Sequence, residues 1–538
     1  MYSVGIELGT TNTVVSTARK NISGGLDITV EKIEQFGEDG YSIISDTLLP
    51  SVLYTNSNGE HFVGRYAKKM RSQMPKNCIA CSKNYMGMDY KWNIGGSEYT
   101  PELVASCYLS IVKKYLDDRY KDEERSVVVT VPASFDIDQR NATKKAMKLA
   151  GFEDDITLIS EPTSAILDFI NYQSNLKEHL INLDTYKNIL VFDIGGGTCD
   201  VAILKTKINN GNVDLTELSV SPHTLLGGST FDSYVVTGIL NDFEKQNKIK
   251  LKDKLSKDEY SILVNTLLTR VEERKIYFTS RYKFSNNKEN SISSKIVVPN
   301  LSIEFEYDLT MAKMNEYVTA LFDKNSDENI VQPIDEALNS IHMSKEDIDY
   351  VFIVGGMSNY PLVKRKLDEY LGKESLTFLN SMEAISRGAS CYPYLGVVSH
   401  NIDSNNEVDI IPTLPNSVFL NVGSGLPLLL IEEHTPAGSP KELDRVIKTS
   451  NATGVELELF SGRSLYDPNL KKLFNKKLVF EYGVPVGSDI SLKVEYTNKG
   501  VLEFTAWLSD NPSIKLSNSL DTFDIKQDDK SIEVKGVI

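Results

Sequence analysis

The feature that most constrains this chain is an apolar strand that ends in an acid, passes through a turn of small residues and returns as a second apolar strand. It occurs twice. The first copy is Val4-Gly5-Ile6-Glu7-Leu8-Gly9-Thr10-Thr11-Asn12, continuing into Thr13-Val14-Val15. The second is Val191-Phe192-Asp193-Ile194-Gly195-Gly196-Gly197-Thr198, continuing into Asp200-Val201-Ala202-Ile203. Around them, as far as residue 395, short apolar runs alternate with longer amphipathic ones, the pattern of α/β layering. Val127–Val131 and Ile189–Phe192 are almost wholly apolar, as strands covered by helices on both faces should be.

Backbone N–H groups in such turns reach phosphate oxygens only where no large side chain intervenes, and threonine hydroxyls add donors. A carboxylate just before each turn then faces the phosphates, where it is placed to hold the waters of a divalent cation and to orient an attacking water. Two opposed copies would clamp a triphosphate. A third apolar strand, Val351-Phe352-Ile353-Val354, ends in Gly355-Gly356 and could bring a nucleoside close to backbone.

Helices are expected over Pro101–Asp118, with Leu103, Cys107 and Ile111 on one face, and over Asp138–Ala150, with Gln139, Arg140, Lys144 and Lys145 turned to solvent. Residues 398–411 turn polar and rich in turn formers, which reads as a linker. Beyond it the period becomes two: Val455, Leu457 and Leu459 alternate with Glu456 and Glu458, and Ile490, Leu492, Val494 and Tyr496 with Ser491, Lys493 and Glu495. Thr497-Asn498-Lys499-Gly500 should reverse the chain, pairing Ile490–Tyr496 with Val501–Trp507 in an antiparallel module that no strong helix follows.

A net charge of −16 opposes binding to nucleic acid. No apolar stretch approaches the ~18 residues of a membrane span, and the first strand begins at once, so the expected location is cytoplasmic, without membrane attachment. Five cysteines, Cys78, Cys81, Cys107, Cys199 and Cys391, read as reduced thiols.

These elements, in this order, resemble the actin-like ATPase superfamily, and the text between them resembles the 70-kDa heat-shock chaperone family. Gly5–Asn12 is similar to its first phosphate motif, Val129-Thr130-Val131-Pro132-Ala133 to its TVPA strand, and Glu161-Pro162-Thr163 to its NEPT turn. Phe192–Val201 is similar to its second phosphate motif, and Leu226-Gly227-Gly228 with Phe231-Asp232 to its LGG..FD turn. The resemblance implies a two-lobed α/β actin-like ATPase domain over residues 1–395, a linker over 396–412, and an antiparallel β-sandwich that binds substrate over 413–538 without a helical lid. It implies ATP or ADP with Mg²⁺, unfolded or extended polypeptide as client, and a J-domain co-chaperone and a nucleotide-exchange factor as partners. Lidless capture of polypeptide should be weak and fast.

The resemblance also implies roles. Lys83 matches the catalytic lysine; Glu161, Asp193 and Asp200 match the acids around Mg²⁺ and the attacking water, with Glu7 beside them; Thr198 matches the γ-phosphate-side hydroxyl. Gly9, Thr10, Thr11, Asn12, Gly195, Gly196, Gly197, Gly227, Gly228, Gly355 and Gly356 match the nucleotide-binding turns. Glu272, Lys275 and Thr279, three and four residues apart on one helix face, match adenosine contacts, with Asn359 at the base. Pro132 and Arg140 match the pair that couples nucleotide state to the second domain.

The chain departs from the family's pattern at specific places. Glu7 replaces an aspartate, Met357-Ser358-Asn359 lacks the arginine that stacks on adenine, Ile276 and Met382 replace charged residues near the base, and the linker offers only Val408-Asp409-Ile410-Ile411. An ATP-driven chaperone with slow hydrolysis is the leading expectation. A nucleotide-gated scaffold with little turnover and one dedicated protein partner is the alternative, and a small-molecule kinase of the superfamily is a third reading that the β module disfavours.

Overall fold

The computed structural model describes the chain except residues 23, 122, 154–155, 210–211, 223, 285–291, 297–304, 327, 379, 396–409, 412–413, 415, 422–426, 450–453, 463–469, 480–484, 498–501, 520–531 and 536–538. Both acid-ended strands sit at the centre of a sheet, and the two sheets share one plan. In the first, Tyr2–Leu8 pairs antiparallel with Asn12–Lys20, which pairs with Leu26–Val30; on its other side lie Arg125–Val131 and then Ile156–Ser160, both parallel. In the second, Lys187–Ile194 pairs antiparallel with Cys199–Asn209 and then Asn212–Val220, while Tyr350–Val354 and Leu376–Thr377 continue it in parallel. The duplication read in the turns is therefore a duplication of whole sheets.

Two helices join the halves. Glu161–Ser174 begins at the N-cap Ser160, whose hydroxyl accepts the Thr163 N–H, with proline in the first turn where no amide is needed. It crosses Ala384–Cys391 so closely that a methyl on Gly388 would lie 1.7 Å from the Ser164 carbonyl oxygen. Arg387 grips Asp168 with two bonds of 2.9 and 2.6 Å, and the Ser164 hydroxyl donates to the Ile385 carbonyl at 2.7 Å. Apolar residues from both sheets and both helices, among them Val128, Ile166, Phe169, Val191, Phe352 and Ala389, form one buried cluster at this crossing.

The helix Pro101–Arg119 forms as expected, but its buried ridge is Val104, Tyr108, Val112 and Leu116 with Cys107, while Leu103 and Ile111 are only half-buried. Ile137–Leu149 also forms, behind a capping box of Asp136 and Gln139. Its polar face is not turned to solvent. Gln139, Arg140 and Lys144 are buried and Lys145 is half-buried; the C-terminal module packs at the start of this helix, where Ile137 joins the core built from Leu414, Val418, Ile490 and Tyr496.

That module contains two four-stranded antiparallel sheets. One runs Leu428–Ile431, Ser417–Asn421, Gly454–Gly462 and Lys471–Val479; the other runs Lys441–Lys448, Asp489–Tyr496, Leu502–Leu508 and Asn511–Ser519. Both sheets contribute to the same core. The expected hairpin pairs Ile490 with Leu508 and Tyr496 with Leu502, although its turn residues 498–500 lie outside the described residues. Phe419, Leu420 and Leu430 are buried, Leu429 is half-buried and Leu428 is exposed. Of the stretch expected to be a linker, Ile410 and Ile411 form a strand that pairs in parallel with Leu215 and Thr216 at the edge of the second large sheet; Val408 and Asp409 lie outside the described residues. Among the described residues no helix is long and apolar enough to cross a membrane.

Candidate nucleotide site

The two small-residue turns face each other across a cleft between the large sheets. They are in close contact, since a methyl on Gly196 would meet Thr11 Oγ1 at 1.8 Å and one on Gly197 would meet Thr10 Cγ2 at 2.6 Å. The turn that starts the helix Gly228–Asn247 closes on the second of them: the Gly228 N–H donates to the Gly195 carbonyl at 3.0 Å, the Ser229 N–H to the Gly196 carbonyl at 2.7 Å, and Gly227 is that helix's N-cap. Glu7, Gly9, Thr10, Thr11, Asn12, Lys83, Glu161, Asp193, Gly195, Gly196, Thr198, Gly228, Glu272, Lys275, Gly355 and Gly356 line one cavity.

Lys83 is fixed by a short helical turn, Ser82–Tyr85, that follows Cys81 in the left-handed conformation, φ 58°. Its ammonium meets Glu161 Oε1 at 2.5 Å, and both side chains are buried. Burial works against the charge on Lys83, but Glu161, reinforced by Glu7 and Asp200, holds its proton more tightly than an ordinary lysine's. Glu161 opens its helix, so the N-terminus of that helix supports its carboxylate as well.

The remaining acids are short of positive charge. Burial, with repulsion from Glu161 and Asp193, pushes the Glu7 carboxyl well above the usual carboxylate range, and Glu7 Oε2 is shut off from solvent with no protein partner. Burial, Glu161 and Asp200 push Asp193 up in the same way. An orphaned carboxylate oxygen among like charges is what a divalent cation would relieve, so the residues present fit Mg²⁺. Among the described residues no three His, Cys, Asp or Glu side chains are arranged to hold a metal by themselves, which leaves water to complete such a cation's shell. Asp200 stands opposite Asp193 in register but does not line the cavity; it accepts the Ser134 hydroxyl at 2.6 Å.

Beside the turns a second cavity of about 500 Å³ is lined by Glu272, Lys275, Ile276, Thr279, Gly356, Met357, Asn359, Ser381 and Met382 among others, the shape and chemistry of a nucleoside site. Sequence reading places these residues together but misses how they are held. Lys275 bonds Asp232 at 2.9 Å and the Gly228 carbonyl at 3.0 Å; Glu272 accepts Lys68 at 2.7 Å from the facing lobe; the Asn359 amide donates to Ser381 at 2.7 Å. Asp232 lies in a turn already singled out, whereas nothing in the sequence near Lys68 marks it. Cys78 and Cys81 remain thiols that burial holds in the neutral form, Cys78 pushed up to about 12.

A family model described as Hsp70 protein matches residues 3–515. The chain belongs to the Hsp70 family. The two duplicated sheets around a cleft are accordingly the two lobes of an actin-like ATPase fold, and Hsp70 proteins in general bind ATP or ADP with Mg²⁺. Hsp70 proteins are ATPases and chaperones that bind unfolded polypeptide and work with co-chaperones, and this chain shares that general function.

Proposed function

We propose that this chain hydrolyses ATP slowly in the cleft and that nucleotide state sets whether its C-terminal module holds or releases unfolded polypeptide. The observation that carries the reading is the convergence of two glycine–threonine turns, a buried Lys83–Glu161 pair and the uncompensated acids Glu7 and Asp193 on one cavity. Gly9–Asn12, Gly195–Thr198 and Gly227–Gly228 cradle the phosphates. Lys83, held in place by Glu161, balances charge that develops on the transferred phosphoryl, and Glu161 and Asp193 orient the attacking water. Glu7 and Asp193, with Asp200 behind them, would hold Mg²⁺, which when bound would supply charge neutralisation on the phosphates. Glu272, Lys275, Thr279 and Asn359 surround the nucleoside beside Gly355 and Gly356.

In this reading residues 1–395 are the ATPase domain, 396–412 the linker and 413–538 a β-sandwich for polypeptide, in a cytoplasmic protein served by a J-domain co-chaperone and a nucleotide-exchange factor. The pairing of Ile410–Ile411 with the second lobe and the burial of Arg140 beneath the β module support coupling between the two parts.

One observation favours the alternative of a nucleotide-gated scaffold: the base cavity presents Ile276 and Met382, ties Asn359 to Ser381, and has its Arg65 guanidinium engaged by Asp46. Single-turnover hydrolysis by the full chain and by Lys83→Ala, with and without an extended apolar peptide, tests the two. Turnover that rises with peptide and disappears in Lys83→Ala supports the chaperone engine. Tight ATP binding without turnover under any condition would replace it with the scaffold.

A further inference from the structure

The far end of the chain returns to the ATPase half. Val534 forms a parallel bridge with His61, and the Lys535 N–H donates to the His61 carbonyl at 2.9 Å. His61–Val63 is the edge strand of a three-stranded sheet with Val52–Thr55 and Cys78–Ala80, so the segment adds a strand to an open edge. Side chains follow the strand period: Ile532 and Val534 are half-buried against the first lobe's core, while Glu533 and Lys535 are exposed. The register is fixed by charge, with Lys535 Nζ at 2.5 Å from Glu60 Oε1 and 5.6 Å above the Phe62 ring. Backbone pairing, alternate apolar contacts and a specific ion pair are the three ingredients of strand recognition, and all occur within four residues.

The gripped strand has a strategic position. It runs through Gly64 into the helix Arg65–Gln73, whose Lys68 reaches across the cleft to Glu272 of the second lobe. The strand Cys78–Ala80 in the same small sheet leads directly into the turn that carries Lys83. A pull on this sheet is thus a pull on the part of the first lobe that closes over the cleft.

We infer that residues 532–535 are a releasable strand clasp that binds the edge His61–Val63 in cis, ties the end of the β module to the first lobe and favours the closed cleft. The clasp rests on neither the nucleotide motifs nor the linker. Its second consequence, slower nucleotide release, does rest on the function proposed above, so the two are read separately.

The test uses the full chain and Val534→Asp, Lys535→Glu and the conservative Val534→Ile. Amide hydrogen exchange reports the clasp itself. The Lys535 amide in the unaltered chain and in Val534→Ile is expected to exchange at least tenfold more slowly than an unstructured amide. In Val534→Asp and Lys535→Glu it exchanges at the unstructured rate, while the amides of Tyr2–Leu8 keep their protection and show that the body is folded. An unprotected Lys535 amide in the unaltered chain overturns the clasp. Release of a fluorescent ADP analogue is the second readout: two- to tenfold faster release in the two disruptive variants supports the link to the cleft. Unchanged release in variants whose exchange shows the clasp open overturns that link and leaves the clasp as a tether only. Failure of every form to bind the analogue refutes the nucleotide reading while the exchange result stands.

Discussion

Glu217 Oε1 accepts the Thr163 hydroxyl at 2.8 Å, and so one residue of the strand that pairs with Ile410–Ile411 holds the first turn of the helix that carries Glu161. The same oxygen also accepts the Ser160 hydroxyl, and the carboxylate is buried. Removing it leaves two buried hydroxyls without their acceptor, a cost of about 1–3 kcal/mol. Glu217→Ala should therefore lower the thermal midpoint and, by loosening Glu161, reduce single-turnover hydrolysis, while Glu217→Gln keeps an acceptor and most of both. Equal turnover in Glu217→Ala and the unaltered chain would show that the turn is held by other contacts.

Lys83 and Glu161 are each other's main compensation in a buried site. Lys83→Met should destabilise the protein by about 3–5 kcal/mol, because it strands a buried carboxylate. Adding Glu161→Gln should recover much of that stability and none of the hydrolysis. Chemical denaturation of the three forms beside a phosphate-release assay separates the structural role from the chemical one.

Asp232 gives stability a definite pH dependence. Although Lys275 pairs with it, burial outweighs the pairing and its carboxyl is pushed up to about 6. In the unfolded chain it ionises near an ordinary aspartate's ~3.9. Between those values the folded state binds the extra proton, so the stability this group contributes is complete below pH ~4 and is lost as pH rises through about 6. The loss is at most about 3 kcal/mol. Glu7 and Asp193 are shifted in the same direction by burial and by the neighbouring acids and add to the fall. Denaturation midpoints of the nucleotide-free protein from pH 4 to 7 should decline, less steeply in Asp232→Asn, and added Mg²⁺ with ATP should flatten the upper part.

At the nucleoside cavity, Asn359→Arg places a guanidinium where the base would stack. ATP should bind tighter by about 0.5–2 kcal/mol, roughly two- to thirtyfold. Titration calorimetry with ATP and GTP measures it; unchanged affinity would place the base away from Asn359.

Gly388→Ala would drive a methyl into the Ser164 carbonyl at the helix crossing, where both partners are backbone. Neither side yields without separating Glu161–Ser174 from Ala384–Cys391. The expected outcome is a loss of several kcal/mol or failure to fold; a normal melting curve would contradict the crossing as described.

The two large sheets were legible from the sequence because their chemistry is local: an acid, a run of small residues and an apolar strand lie next to one another in each copy. Contacts made between distant segments were not. Gln139, Arg140 and Lys144 have the composition of a wet helix face yet are buried, on a helix whose first residue, Ile137, enters the core of the C-terminal module. The ridge of Pro101–Arg119 was misplaced for a related reason: the helix is packed on several sides, so one apolar stripe does not stand out. Lys68, which bridges to Glu272, and Lys535, which bridges to Glu60, look like any solvated lysine until the partner is brought alongside. A site built from turns is written in the sequence, and a contact between lobes is written only in the fold.

Among the described residues, Ile410 and Ile411 pair with Leu215 and Thr216 at the edge of the second large sheet. Detaching a pairing at a sheet edge takes far less than melting the sheet behind it. Detachment would bare the edge of the strand Asn212–Val220, the kind of surface on which stray chains nucleate. Any loosening of this edge pairing would thus carry a solubility risk: a protein of a family that handles sticky chains would itself present a sticky edge.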